Sequence, residues 1–171
     1  FTPSIVTWKR PSGTIIVEQT TNYPAEDTSR FTIRAGGKFT LKLRIPAWTT
    51  NATISINGRA VEPAKAGQYA ILERTWKAGD TVQLNVPQPL RTLPIDESHA
   101  NVVALVRGAV MYVGLNPWEE LAQTSVHLPA ALKPVTGQPD KYVLKVDDKE
   151  LVFVPYFDVQ LESYHTYFKR A

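Results

Sequence analysis

The sequence predicts an all-β protein, a β-sandwich of two packed, mainly antiparallel sheets in a jelly-roll-like arrangement, and three observations predict it. Runs rich in Val, Ile, Thr and Leu are punctuated at short intervals by 13 Pro and 9 Gly. Strict alternation of apolar and polar residues recurs along those runs. No segment longer than about eight residues carries an apolar period of 3.6. About twelve strands can be counted, too many for one sheet of usual size, so two packed sheets are expected.

Ile5 to Trp8, Thr14 to Thr20 and Phe31 to Ala35 are the first strands, separated by Pro11-Ser12-Gly13 and by the polar stretch Asn22 to Arg30. Lys38 to Ile45 is the clearest, because Phe39, Leu41, Leu43 and Ile45 alternate with Lys38, Thr40, Lys42 and Arg44; one face meets a core and the other meets water. Pro46 ends it, having no amide to donate to a ladder. Ala52 to Ile56 leads into Asn57-Gly58, a pair that takes positive φ readily, so a tight hairpin into Arg59-Ala60-Val61 is expected. Gln68 to Arg74 and Thr81 to Val86 follow, joined by Lys77-Ala78-Gly79-Asp80, and the simplest expectation is that these two strands face each other.

Val102 to Val106 and Ala109 to Val113 are apolar on both faces, as strands buried in mid-sandwich are, with Arg107-Gly108 as a bulge or bend between them. Leu115 to Asp140 carries Pro117, Pro129, Pro134 and Pro139, which exclude a long regular element and predict a covering loop or a linker. Tyr142 to Val146, a turn at Asp147-Asp148, Glu150 to Val154 and Val159 to Phe168 complete the chain. One unit over residues 1–171 is expected, with a core at 1–114, the proline-rich loop at 115–140 and closing strands at 141–171. The alternative is two small sandwiches split near 115–140.

Composition narrows the function. The chain has 171 residues, 43% hydrophobic and 20% charged, enough for one core or two small ones. Its net charge of +3 comes from scattered residues rather than a basic face, so nucleic acid is not an expected partner. The longest apolar stretch, Val102 to Gly114, is broken by Arg107 short of the ~20 residues a spanning helix needs, and no membrane partner is expected. Zero cysteines exclude a disulfide framework, a thiolate metal site and a cysteine nucleophile, and fit either redox compartment. The chain opens at Phe1 without a signal segment, which predicts a processed product or an excised fragment.

Several phrases are more specific. Pro3-Ser4-Ile5-Val6-Thr7-Trp8, Gln19-Thr20-Thr21-Asn22-Tyr23-Pro24, Leu43-Arg44-Ile45-Pro46-Ala47-Trp48, Ile56-Asn57-Gly58, Arg74-Thr75-Trp76-Lys77-Ala78-Gly79-Asp80 and Val106-Arg107-Gly108-Ala109-Val110-Met111-Tyr112 occur in series. In that order they resemble the region after the catalytic barrel in β-L-arabinofuranosidase-type glycoside hydrolases of family 127. Val154-Pro155-Tyr156-Phe157 is similar to a segment near that family's C-terminus. The resemblance covers residues 3–112, and 115–140 matches nothing in it. In such enzymes an N-terminal α/α-barrel carries the chemistry, with a cysteine nucleophile, a glutamate and a zinc bound partly by cysteines. A chain without Cys inherits none of these, so the resemblance implies an accessory β-sandwich region bearing on the barrel. The family often has two sandwiches after the barrel, and the part beyond Tyr112 is short for a complete second one.

The residues themselves offer few chemical constellations. Paired carboxylates would suit glycoside hydrolysis, and the sequence offers Glu18, Glu26-Asp27, Glu73, Glu119-Glu120, Asp147-Asp148 and Glu162, but Glu18 and Glu73 sit among strand residues and Asp147-Asp148 has turn character. His99, His127 and His165 stand singly, with no spacing that places two on one metal. Asp147-Asp148 lacks the alternating acids of a calcium loop, and no Gly-x-Ser-x-Gly elbow is present. No catalytic residue, metal or cofactor is expected. Lys38, Lys42 and Arg44 guard a sheet edge, and Asn51-Ala52-Thr53 fits the N-glycosylation pattern.

Aromatic residues are the better candidates, because sugar rings stack on exposed Trp and Tyr. Trp48 and Trp76 lie at strand ends, where an indole caps a core. Tyr156, Phe157, Tyr164, Tyr167 and Phe168 read mainly as a last strand closing the core. Trp118, with Glu119 and Glu120 beside it in the proline-rich loop, is the expected contact for a sugar or a neighbouring domain. The expected function is a non-catalytic accessory sandwich of a glycoside hydrolase acting on β-L-arabinofuranosyl or related plant glycans, packing on and shaping the catalytic barrel of the same polypeptide. The rivals are a free-standing carbohydrate-binding module taking a plant oligosaccharide, and a cell-surface protein-interaction sandwich. The compartment expected is periplasmic or extracellular.

Overall fold

A computed structural model describes residues 2–62 and 65–171. Its contacts divide the chain into two compact units, Phe1–Gln88 and Pro89–Ala171. Both are all-β, and seventeen strands occur among the described residues. The excess over the expected twelve comes from strands of two to five residues, such as Ser125–Val126 and Tyr164–His165, that are too short to show alternation.

The first unit contains β1 (Ser4–Arg10), β2 (Gly13–Thr21), β3 (Thr28–Ala35), β4 (Gly37–Arg44), β5 (Thr53–Ile56), β6 (Arg59–Val61), β7 (Tyr69–Trp76) and β8 (Thr81–Asn85). Six of them form an antiparallel sheet in the order β1-β2-β3-β8-β5-β6, and β4 pairs with β7 as a separate two-stranded sheet. Phe31 and Ile33 on β3, Ile54 on β5, and Val82 and Leu84 on β8 meet Leu43, Ile45, Ala70 and Trp76 in one core. The alternation read in Lys38 to Ile45 is therefore a true inside-outside pattern, and Asn57 and Gly58 make the expected tight turn with φ of 51° and 77°.

One expected pairing is corrected. β7 and β8 are not hydrogen-bonded partners: β7 pairs with β4, and β8 lies between β3 and β5. The residues joining them carry the chain from one sheet to the other, and that arch is closed by polar bonds. Asp80 accepts the Lys77 N–H (2.8 Å) and the Asn57 side-chain amide (2.8 Å), while Gly79 donates to the Ile33 carbonyl (2.8 Å). The Lys77 amide first, then Asn57, hold the Asp80 carboxyl below its ordinary value. A depressed folded-state pKa gives stability that is present above about pH 4 and is lost as pH falls through the lowered value. Asp80→Asn is accordingly expected to cost stability at pH 6, and that cost should shrink at pH 3; urea unfolding at the two pH values checks it, and a difference independent of pH would refute it.

The second unit contains β9 (Leu90–Pro94), β10 (Val102–Arg107), β11 (Val110–Leu115), β12 (Ser125–Val126), β13 (Lys133–Val135), β14 (Gln138–Val146), β15 (Lys149–Pro155), β16 (Tyr164–His165) and β17 (Tyr167–Arg170). Gly108, at φ 57°, makes a tight turn that pairs Arg107 with Val110, so this segment is a hairpin rather than a bulge. The hairpin parts beyond Leu105 and Tyr112. The C-terminal strands enter the opening, β17 pairing with β10 and β16 with β11. On their other edges β10 holds β9, and β11 is followed by β15, β14 and β13. All pairs are antiparallel except β12 with β17.

Residues 115–140, expected as a covering loop of one unit or, in the alternative, as the split between two small sandwiches, lie inside the second unit. That segment contributes Leu121, Val126 and Leu128 to the second core, beside Leu105, Tyr112, Leu144, Leu151, Phe153 and Phe168. A stretch whose apolar side chains are buried in one core is part of that core and not a linker. The division falls between Gln88 and Pro89 instead. Gln88 is buried in the first unit and donates its side-chain amide to the Pro24 carbonyl (3.0 Å) and Asp27 Oδ1 (2.9 Å).

Candidate functional site

Trp118 precedes a short 3-10 turn, Glu119–Gln123, that is anchored by buried Leu121. Its indole is partly buried against the second core, and the Lys149 ammonium lies over the ring, 5.2 Å from the centroid. Lys149 also sits 3.3 Å from Glu120 Oε2. A cleft of about 290 Å³ runs between Trp118, Glu120 and Thr124 on one side and Val146 with the Asp147-Asp148-Lys149 turn on the other. The Glu120 carboxyl is held below its ordinary value by its own backbone amide and then by Lys149. Trp118 and Glu120 both line this cleft, whereas Glu119 is exposed outside its lining. The indole is therefore engaged both by the second core and by the Lys149 ammonium.

The scattered carboxylates tie loops and strands together. Glu18 pairs with Arg34, Asp27 receives Gln88, Asp96 lies 2.8 Å from His99 Nδ1, and Asp140 lies 2.6 Å from Arg107 Nη1. Burial disfavours ionisation of the Tyr112 hydroxyl. Among the described residues no three His, Cys, Asp or Glu groups converge as metal ligands. No helix of the described residues is long and apolar enough to cross a membrane.

Of the four tryptophans, Trp76 is 2% exposed and donates its indole N–H to the Phe39 carbonyl (3.1 Å), and Trp48 packs on the same core. Trp8 is 53% exposed on β1, with the Arg10 guanidinium 4.7 Å from its ring centroid. Every residue of β1 from Ser4 to Lys9 is exposed. The physical cause is coverage, since the two-stranded sheet packs over β3, β8 and β5. The inner side of β1 and β2 instead lines an apolar groove of about 230 Å³ with Phe31, Phe39 and Leu41.

The C-terminal aromatics were not visible as surface residues in the sequence. Phe168 alone of the five is buried in the core; Tyr156, Phe157, Tyr164 and Tyr167 are exposed. Pro155 ends β15 and a 3-10 turn at Tyr156–Asp158 breaks the alternation, which turns Phe157 outward. The signal was the Pro-Tyr-Phe-Asp phrase itself, which is a ladder terminator followed by a turn rather than strand continuation. Beside Phe157 lies a second cleft, of about 330 Å³, lined by Leu115, Lys141, Val154, Asp158, Gln160 and Glu162.

Comparison with known proteins gives this fold a context. The whole chain superposes on β-rich regions of glycoside hydrolases. One glycoside hydrolase structure matches with a TM-score of 0.74 at 24% identity, over 98% of this chain and 34% of that one. The chain belongs to glycoside hydrolase family 127, for residues 1–88 match the family model described as "Beta-L-arabinofuranosidase, GH127 middle domain". A GH127 beta-L-arabinofuranosidase from Geobacillus stearothermophilus T6 is similar at 25% identity and a TM-score of 0.77, over 99% of this chain and 32% of that one. A further GH127 beta-arabinofuranosidase matches at 22% identity and 0.69, over 98% and 33%. The chain spans about a third of the length of these solved structures. No curated protein sequence matches it.

Proposed function

We propose that this chain is a non-catalytic accessory region of a longer family 127 hydrolase that acts on β-L-arabinofuranosyl or related plant glycans, and that it packs on the catalytic barrel. The observation that carries the reading is the middle-domain match over residues 1–88, joined to the exposed apolar side chains Val6 and Trp8, which share the groove side of β1. Contiguous exposed apolar surface marks an interaction site. Periplasmic or extracellular residence follows from a polymeric glycan substrate. On this reading the cleft of Trp118 and Glu120, with exposed Glu119 adjacent in sequence, is a contact for a neighbouring domain, because Lys149 already occupies the indole.

The test is co-purification of the chain with the separately produced barrel of its full-length gene product. Wild-type chain is expected to associate with it and to show no turnover of an arabinofuranoside by itself. Val6→Glu with Trp8→Glu is expected to weaken association by at least about tenfold. Turnover by the isolated chain, lost on replacing one of its own carboxylates, would overturn the reading; so would an undiminished association of the double variant.

A further inference from the structure

We propose that the cleft beside Phe157 is a subsite for a neutral saccharide, with the Phe157 ring as stacking surface and Asp158, Gln160 and Lys141 as partners of the sugar hydroxyls. The saccharide class rests on the family reading above; the site itself rests on geometry.

A lone exposed aromatic needs no explanation. Phe157 differs because it is 62% exposed at the wall of a cleft of about 330 Å³, which lies at the small end of ligand sites. Its ring has no aromatic or cationic partner among the described residues, whereas Trp118 has Lys149 and Tyr156 has Tyr164, edge to face at 5.6 Å. Leu115 and Val154 make the remaining apolar wall, and the polar wall is Lys141, Asp158, Gln160 and Glu162.

The chemistry of that wall selects the ligand. Glu162 is already engaged, accepting the backbone N–H groups of Gln160 (3.0 Å) and Leu161 (3.1 Å). Asp158 and the Gln160 side chain have no hydrogen-bond partner among the described residues, so an acceptor, an amide and the Lys141 ammonium are available together. One cation faces two carboxylates, which disfavours an anionic ligand. Groups that both donate and accept, carried on a ring with an apolar C–H face, satisfy all of these at once, and a sugar is such a ligand.

The cleft is also held in shape before any ligand arrives. Besides the Glu162 clamp, the Asn116 N–H donates to the Ser163 carbonyl (2.7 Å), and Val159 donates to Tyr156 (3.3 Å). Buried Val154 and Pro155 fix the entry to the turn. Binding therefore orders little new backbone, which removes one of the usual costs of association.

Calorimetric titration of the 171-residue chain with an L-arabinofuranosyl oligosaccharide, a xylo-oligosaccharide and a galacturonate oligomer tests the proposal. Saturable millimolar binding of a neutral sugar is expected, with none of the uronate. Phe157→Ala should weaken it at least about tenfold and Asp158→Asn several-fold. Both substituted side chains are exposed, so circular dichroism should confirm an intact fold. No saturable binding of either neutral sugar, or equal binding by Phe157→Ala, would overturn the subsite. Binding of the xylo-oligosaccharide alone supports the subsite while counting against the arabinofuranosyl reading, so the two fail separately.

Discussion

Trp76→Ala is expected to destabilise the first unit by about 3 to 5 kcal/mol, the usual cost of removing a buried large aromatic. The indole is 2% exposed, lies tilted against Phe39 with centroids 5.7 Å apart, and carries the Arg74 guanidinium 5.1 Å from its centroid. Truncation leaves a cavity between the sheets and strips the Phe39 carbonyl of its indole N–H donor. Trp76→Phe separates the two effects, since it restores much of the apolar volume without the donor and should cost about 1 to 2 kcal/mol. Urea unfolding followed by far-ultraviolet circular dichroism measures both. A loss below about 1 kcal/mol for the alanine variant would mean that Trp76 is not central to this core.

Gly36→Ala is expected to cost about 3 kcal/mol or more, at the upper end of overpacking effects. Gly36 stands between β3 and β4, where the chain leaves one sheet for the other. A methyl group there would clash with the Trp76 carbonyl oxygen and lie 2.8 Å from its carbon. These are backbone atoms, so relief requires the end of β7 to move away from β4, where Gly37 pairs with Trp76. Gly58→Ala provides the contrast. It meets open space, and its strain comes only from a φ of +77°, worth about 1 kcal/mol. Equal losses from the two substitutions, measured by the same unfolding curves, would refute the steric account.

Local chemistry made much of the fold legible. Phe39, Leu41, Leu43 and Ile45 announced their strand by alternation alone, and Asn57-Gly58 and Asp147-Asp148 announced their turns; Asp147 indeed takes φ 52° between the paired β14 and β15. Partner choice was not legible, because β7 and β8 carry the same kind of pattern, and the Asn57–Asp80 bond and the close approach at Gly36 join residues distant in sequence. Leu121, Val126 and Leu128 were hidden by spacing that fits neither period, although each is buried. At the candidate site, Trp118 and Glu120 were found as neighbours, but Lys149 arrives from a hairpin 29 residues away in sequence. The exposure of Phe157 escaped because aromatic density near a chain end resembles core material until the turn after Pro155 is given its due.

The parting of the β10–β11 hairpin sets an order of events during synthesis. N-terminal segments leave the ribosome first, so Val102–Ala104 emerge long before their partners Tyr167–Lys169 exist. Until those last strands are made, part of each hairpin strand presents unpaired backbone amides and carbonyls next to apolar side chains, the combination that recruits stray strands. The second unit must therefore close late, by threading its final strands into a waiting gap, and such long-range closure is intrinsically slow. A nascent chain stalled before Tyr164 would keep that gap open.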